Sequence, residues 1–217
     1  MLNTPPPPGI TLRSMQRVKS RQPGLTGCVL AGGPSLRFGS DKALHAVDGR
    51  PMISIVLEAV DAVCDETLVS TTGRRLPESL VGRREQVPDE PTRNSEAHGL
   101  GDPSAGPLAG ILSCMRRAQN DWLLVVACDM PGVTASALER LHEAVAPGVD
   151  AVVASERDGR LHPLLGCYSV TALPVIEALL DSGRAAVHGL LDRLSTVKVV
   201  EFPERILTNA NRPQDLM

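Results

Sequence analysis

The sequence predicts an α/β fold, a mostly parallel mixed sheet with helices on both faces. Three observations predict it. Apolar runs of strand length alternate with helical stretches from residue 25 to residue 201. Aromatics make up only 2% of the 217 residues, so the core rests on Val, Leu, Ile and Ala, a palette suited to strands buried on both faces. The first apolar run, Leu25–Val29, leads directly into a glycine-rich basic loop, LAGGPSLRFGSDKAL, from Leu30 to Leu44. In open α/β sheets ligands sit at the carboxyl ends of strands, where this loop lies.

The elements follow in order. Leu25–Leu30 is a buried strand bounded by Gly24 and Gly32. Residues 42–47 form a short extended piece ending at the turn Asp48-Gly49. Pro51 opens a helix to about Val63, with Ile53, Val56, Leu57 and Val60 on its buried face. Glu66–Thr71 is the second strand, a short helix follows Pro77, and Gln86–Val87 is a brief third strand. Residues 89–106 are rich in Gly, Pro, Ser, Asn and Asp, a length and composition expected of a functional lid or mobile segment.

Pro107 starts a helix to about Ala118, and residues 121–127, centred on WLLVVA, are the central strand. Thr134 caps a helix to about Val145. Residues 150–154 and 161–169 are strands joined at the turn Asp158-Gly159. Residues 171–181 are helical, residues 185–192 are a short helix, and residues 196–201 are the last strand. The tail, 208–216, ends in a helical turn opened by Pro213. Residues 1–22 are expected to be a flexible Pro-rich extension, because polyproline has no internal hydrogen bonds. Residues 23–217 are expected to form one domain.

Composition narrows the function. A net charge of -3 with no basic tract argues against a nucleic-acid partner. No apolar run reaches the length of a membrane span, and the N-terminus lacks the continuous apolar core of a secretory signal. The five cysteines show no C-x-x-C spacing and read as small buried hydrophobes of a reducing, cytoplasmic compartment.

The chemistry begins with the first loop. It lacks both the P-loop spacing and G-x-G-x-x-G. Gly32, Gly33 and Gly39 let backbone approach a ligand, Ser35 offers a hydroxyl, and Arg37 and Lys42 supply positive charge for phosphate. Pro34 removes one N–H from the cradle and shifts weight onto Arg37 and Lys42. Asp129, at the end of the central strand, is the leading metal ligand, since Mg²⁺ takes oxygen donors and is held by one or two carboxylates plus phosphates. It is also a plausible turn aspartate before Pro131. Asp102 and Asp150 are weaker metal candidates. His162 is read as structural or substrate-contacting rather than as a base. Asn209 and Asn211 are candidates for the acceptor or metal-water shell, or for a turn before the last helix.

These residues carry a resemblance. LAGG-x-S-x-R-(F/M)-G-x-D-K-x-L, with GPLAGI at 106–111, ACDMP at 127–131, HPLLGCY at 162–168 and TNANRPQDL at 208–216, resembles the pattern of the molybdenum cofactor guanylyltransferase family. The stretches cover the chain from about 25 to 217, and the N-terminal extension has no counterpart in them. The resemblance implies a three-layer Rossmann-like nucleotidyltransferase fold. It implies that Leu30, Ala31 and Gly32 line guanine and ribose, that Gly33, Ser35 and Arg37 approach the triphosphate, and that Lys42 neutralises developing charge. It implies a nucleotide contact at Asp89. At Ser70 the family typically carries Asn, and a hydroxyl replaces only part of an amide's bonding.

The expected activity is Mg²⁺-dependent transfer of GMP from GTP to the phosphate of molybdopterin, with release of pyrophosphate. Arg37, Lys42 and Asp129 are the expected catalytic residues. Enzymes that supply or receive the cofactor are the expected protein partners, with no membrane partner. The rivals are a molybdopterin cytidylyltransferase, whose loops tend to read LAAG, a sugar-1-phosphate nucleotidyltransferase, and a non-catalytic nucleotide-binding regulator.

Overall fold

The computed structural model describes residues 22–32, 45–72, 75–90, 106–183 and 186–210. Expectations placed on residues 1–21, 33–44, 91–105 and 211–217 lie outside the described residues. These include the sites at Gly33, Ser35, Arg37, Gly39, Lys42, Asp102 and Asn211, and the turn at Pro213.

A seven-stranded sheet forms the middle layer. Its strands are β1 (Leu25–Leu30), β4 (Glu66–Thr71), β5 (Glu85–Pro88), β6 (Trp122–Ala127), β7 (Ala151–Ser155), β8 (Leu161–Ser169) and β9 (Val197–Glu201). Their order is β5-β4-β1-β6-β8-β7-β9. Only β8 runs against its neighbours. The reason is the short link between β7 and β8. Parallel neighbours need a crossover of a dozen or more residues, and the turn at Asp158-Gly159 leaves room only for a return.

Helices cover both faces, and the alternation of β1 shows how. Leu25 and Val29 pack into one cluster with α1 (Met52–Asp61), α2 (Glu78–Val81), α4 (Ala135–Glu143) and α7 (Glu204–Leu207). Cys28 and Leu30 pack into another with α3 (Gly106–Arg117), α5 (Leu173–Asp181) and α6 (His188–Leu191). Successive strand side chains point to opposite faces, so a near-continuous apolar strand feeds both layers. In α1, buried Met52, Ile53, Val56, Leu57 and Val60 form one stripe. Thr134 caps α4 as expected, accepting a hydrogen bond from the Ala137 N–H at 3.3 Å.

Two pieces differ from the sequence expectation. The chain around Asp48-Gly49 is a two-strand hairpin, with β2 (Ala46–Val47) paired antiparallel to β3 (Arg50–Pro51). Asp48 and Gly49 both have positive φ, 49° and 77°, which is the turn geometry that matches strand twist. The second is α7, a single turn whose Ile206 and Leu207 are buried. Four residues carry too little periodicity to announce a helix.

None of the five cysteines is in a disulfide; Cys28, Cys114, Cys128 and Cys167 are buried and Cys64 is partly so. Among the described residues no helix is long and apolar enough to cross a membrane.

Candidate active site

The sheet register builds the site. Val87 of β5 pairs with Ser70 of β4, Ser70 with Leu30 of β1, and Leu30 with Ala127 of β6. These four form one row across the carboxyl ends of four parallel strands. Two residues further along each chain stand Asp89, Thr72, Gly32 and Asp129. The ladder holds this edge in place. The Ala31 N–H donates to the Ser70 carbonyl at 3.0 Å, Asp89 N–H to the Thr71 carbonyl at 3.0 Å, and Cys128 N–H to the Leu30 carbonyl at 3.1 Å.

Ser70 and Asp89 form a buried pair. The Ser70 hydroxyl donates to Asp89 Oδ1 at 2.7 Å. Burial pushes the Asp89 carboxyl up to about 6, and the Ser70 hydrogen bond opposes that rise. Both flanks of Asp89 are fixed. Its neighbour Glu90 donates its N–H to the Ser113 hydroxyl at 2.8 Å, and the Glu90 carboxylate pairs with Arg116 on the same helix. Gly110 of α3 faces the pair directly. A Cβ there would lie 2.3 Å from Ser70 Oγ, 3.0 Å from Leu30 Cδ2 and 3.1 Å from Asp89 Oδ1. The helix therefore needs a glycine at this point to seat against the strand ends. Ser70 donates its hydroxyl to Asp89.

Gly32 has a comparable neighbour. A Cβ on Gly32 would meet Thr72 Oγ1 at 2.2 Å and the Thr72 backbone nitrogen at 2.9 Å. The sequence explains this glycine by ligand approach, and the structure adds a second cause. The exit of β1 crosses the exit of β4 too closely for any side chain.

Asp129 sits in the turn after β6, partly buried, with the Met130 N–H bonded to the Ala127 carbonyl at 3.2 Å. The C-terminal segment closes onto this turn. The Ala210 N–H donates to the Asp129 carbonyl oxygen at 2.8 Å. A Cβ on Gly132 would lie 2.1 Å from the Arg205 carbonyl oxygen, so only glycine admits α7 here. This packing brings the segment that carries Asn209 to the Asp129 turn. Asn209 Oδ1 is buried and accepts no hydrogen bond among the described residues, and Asp129 Oδ1 is likewise buried.

His162 begins β8, and because β8 runs antiparallel it lies at the same end of the sheet. Its Nε2 is 2.9 Å from Glu156 Oε1, and Glu156 also pairs with Arg160. The hydrogen bonds from Arg160 and then His162 hold the Glu156 carboxyl below its usual range. The rest of the HPLLGCY stretch shapes the strand. The buried Tyr168 hydroxyl donates to the Pro163 carbonyl at 2.6 Å. A Cβ on Gly166 would meet the Val152 carbonyl at 2.6 Å, where the β7–β8 register shifts. These contacts favour a structural role for that stretch.

Asp150 lies at the opposite end of the sheet, ahead of β7. Its Oδ2 accepts from the Ser195 and Thr196 N–H groups at 2.8 and 2.9 Å. It ties a loop to a strand and takes no part in this edge. Thr72, Gly110, Gly132 and Glu156 were not singled out as site residues by sequence reasoning. The glycines lie within or beside the matched stretches, so position was the available signal. Thr72 and Glu156 carried none.

Comparison with known proteins agrees with the geometry. The family described as MobA-like NTP transferase domain matches residues 27–197. A probable molybdenum cofactor guanylyltransferase of Deinococcus radiodurans is 32% identical over 88% of this chain and 92% of its own. A molybdenum cofactor guanylyltransferase of Desulfosudis oleivorans is 30% identical over 82% of this chain and 81% of its own. The crystal structure of molybdopterin-guanine dinucleotide biosynthesis protein A from Archaeoglobus fulgidus is similar with a TM-score of 0.68 and 26% identity, over 88% of this chain and 94% of that one. The chain belongs to the MobA-like NTP transferase family and is a nucleotidyltransferase.

Proposed function

We propose that this enzyme transfers GMP from GTP to the phosphate of molybdopterin. An acceptor phosphate oxygen forms a bond to the α-phosphorus, the bond from that phosphorus to the bridging oxygen breaks, and pyrophosphate leaves. The observation that carries the reading is the level row of strand ends. It gathers Leu30, Ala31, Gly32, Asp89 and Asp129 along one edge, with the Ala210 N–H bonded to the Asp129 carbonyl. The guanylyltransferase names of the relatives support the choice of base and acceptor.

Each residue then has a task. The Ala31 N–H and the Leu30 carbonyl are engaged in the ladder, so the Ala31 carbonyl and the Gly32 backbone are the groups offered to base and ribose. Asp89, held by Ser70, offers a carboxylate to nucleotide donors. Arg37 and Lys42 stabilise charge on the departing pyrophosphate, and Gly33 and Ser35 approach the triphosphate. Asn209 and Asn211 face the acceptor, and His162 borders it. The incoming phosphate is a nucleophile at neutral pH, so the chain provides positioning and electrostatics rather than a strong base.

The residues at the β6 turn fit a divalent cation. The side-chain oxygens of Asp129 and Asn209 are hard oxygen donors, and the buried Asn209 Oδ1 accepts no hydrogen bond among the described residues. Asp129 would hold Mg²⁺, with Asn209 in its immediate surroundings. When bound, Mg²⁺ neutralises phosphate charge.

The test is pyrophosphate release with Mg²⁺ and each of GTP, CTP, ATP and UTP, with and without molybdopterin. Release with GTP that requires molybdopterin supports the proposal. Preferential release with CTP would make the enzyme a cytidylyltransferase, and no release with any nucleotide would favour a regulator.

A further inference from the structure

A second concavity lies far from this edge. A cleft of about 700 Å³ opens at the amino ends of β6 and β7, lined by Gln22, Trp122, Glu143, Pro147, Asp150 and Thr171 among others. Trp122 is the chain's one tryptophan. Glu143 is exposed and forms no salt bridge among the described residues. Asp150 adds a second carboxylate, with its Oδ2 bonded only to backbone N–H groups. The cleft is thus acidic, with an apolar wall.

We propose that this cleft is a docking site for the chain's own basic extension, residues 1–21. Three observations carry the inference. The extension contains Arg13, Arg17, Lys19 and Arg21 and no Asp or Glu, so its charge complements Glu143 and Asp150. Its tether is fixed at the cleft, because Gln22 and Pro23 line it and the Pro23 carbonyl sits 2.8 Å from His142 Nε2. Its reach is sufficient, since the three residues from Gln22 back to Lys19 span up to about 10 Å when extended. A ligand on so short a tether is present at an effective concentration on the order of millimolar, so weak charge pairing suffices. Docking at the amino ends of the strands leaves the nucleotide edge open.

The experiment is zero-length carbodiimide cross-linking of the full chain, read by peptide mapping of the monomer fraction. Lys19, Lys42 and Lys198 are the chain's three lysines, so links from Lys42 and Lys198 serve as internal references. The expected result is a Lys19 link to Glu143 or Asp150. Its yield should fall about threefold or more in 0.5 M NaCl, where the Debye length is much shorter than in dilute buffer. Glu143→Gln should remove the Glu143 product and leave pyrophosphate release unchanged. A companion measurement follows acrylamide quenching of Trp122 in the full chain with Arg13, Arg17, Lys19 and Arg21 each replaced by Glu, and greater quenching than in the parent is expected. Absence of the Lys19 link together with unchanged quenching overturns the proposal. A Lys19 link found only in cross-linked dimers overturns it in favour of a second copy as the occupant.

Discussion

Ser70 at the end of β4 holds Asp89 at the end of β5 through a 2.7 Å hydrogen bond, and both residues are buried. The pair sits beneath the edge where the nucleotide is proposed to bind, with Gly110 pressed against it. A carboxylate in that position is costly, because burial disfavours its charge. Groups kept for binding bear such a cost, and binding is the role proposed for Asp89.

The cost is measurable in Asp89→Asn, which keeps an acceptor for Ser70 and removes the charge. Burial raises the Asp89 carboxyl from 3.8 to about 6. A raised folded value means that this group favours the folded state below the unfolded value, and that the contribution is lost as pH rises through about 6. At pH 8 the variant should therefore be more stable than the parent, by on the order of 3 kcal/mol. The gain should shrink between pH 6 and 4 and vanish below that. Urea unfolding at pH 8, 6 and 4 checks the trend, and GTP binding should weaken in the same variant.

Gly110→Ala should act in the opposite direction. Its Cβ would overlap Ser70 Oγ at 2.3 Å, inside a helix-to-sheet contact with little slack. Overpacking of this kind costs about 1–3 kcal/mol, and the displaced Ser70 and Asp89 should raise the KM for GTP. Stability should recover partly when Ser70→Ala is added, because Ser70 Oγ is the closest atom to the new methyl, whereas the KM should stay raised because Asp89 then loses its hydrogen bond. A Gly110→Ala enzyme with the parent's stability and KM would show that the pair has room to move.

Much of this fold is written in local pattern. The Leu25–Leu30, Glu66–Thr71 and WLLVVA strands are apolar runs bounded by turn residues, so their place was legible. The helices starting near Pro51 and after Thr134 announce themselves by an N-terminal Pro and a capping hydroxyl. Asp129 was legible as a strand-end carboxylate, and Asp89 entered only through the family resemblance. Their companions were not, because Gly32 meeting Thr72 and Gly132 meeting Arg205 are contacts between segments distant in sequence. A glycine in a loop reads as conformational freedom, whereas here two of them record close packing. The antiparallel course of β8 is implicit in its short link to β7, but the level row of four strand ends depends on pairing register.

The Gly32–Thr72 contact predicts a specific order in a double-mutant cycle. Gly32→Ala alone places a methyl 2.2 Å from Thr72 Oγ1 and should destabilise by about 1–3 kcal/mol. Adding Thr72→Ala removes the nearest atom but leaves the backbone nitrogen at 2.9 Å. The double variant should fall between the parent and Gly32→Ala in stability. Simple additivity of the two single variants would show that the contact does not constrain this glycine.

The Asp129 turn yields the last prediction. Asp129→Asn keeps size and shape but removes the charge a divalent cation needs, so pyrophosphate release should fall by at least ~10²-fold at saturating GTP. Asn209→Ala leaves that charge in place and removes only the neighbouring amide, so a loss of about 10-fold is expected, recovered in part by higher Mg²⁺. Gly132→Ala touches neither oxygen. It moves α7 away, because its Cβ would lie 2.1 Å from the Arg205 carbonyl, and the Ala210 bond to the Asp129 carbonyl is lost with it. It should therefore reproduce the Mg²⁺ dependence of Asn209→Ala, together with a lower Tm. Mg²⁺ titrations of the three variants separate the cases. Charge loss lowers the plateau, while loss of the Asn209 buttress shifts the midpoint. If Gly132→Ala instead shows the parent's midpoint with only a lower Tm, the C-terminal segment is a structural strap and Asn209 has no part in holding the cation.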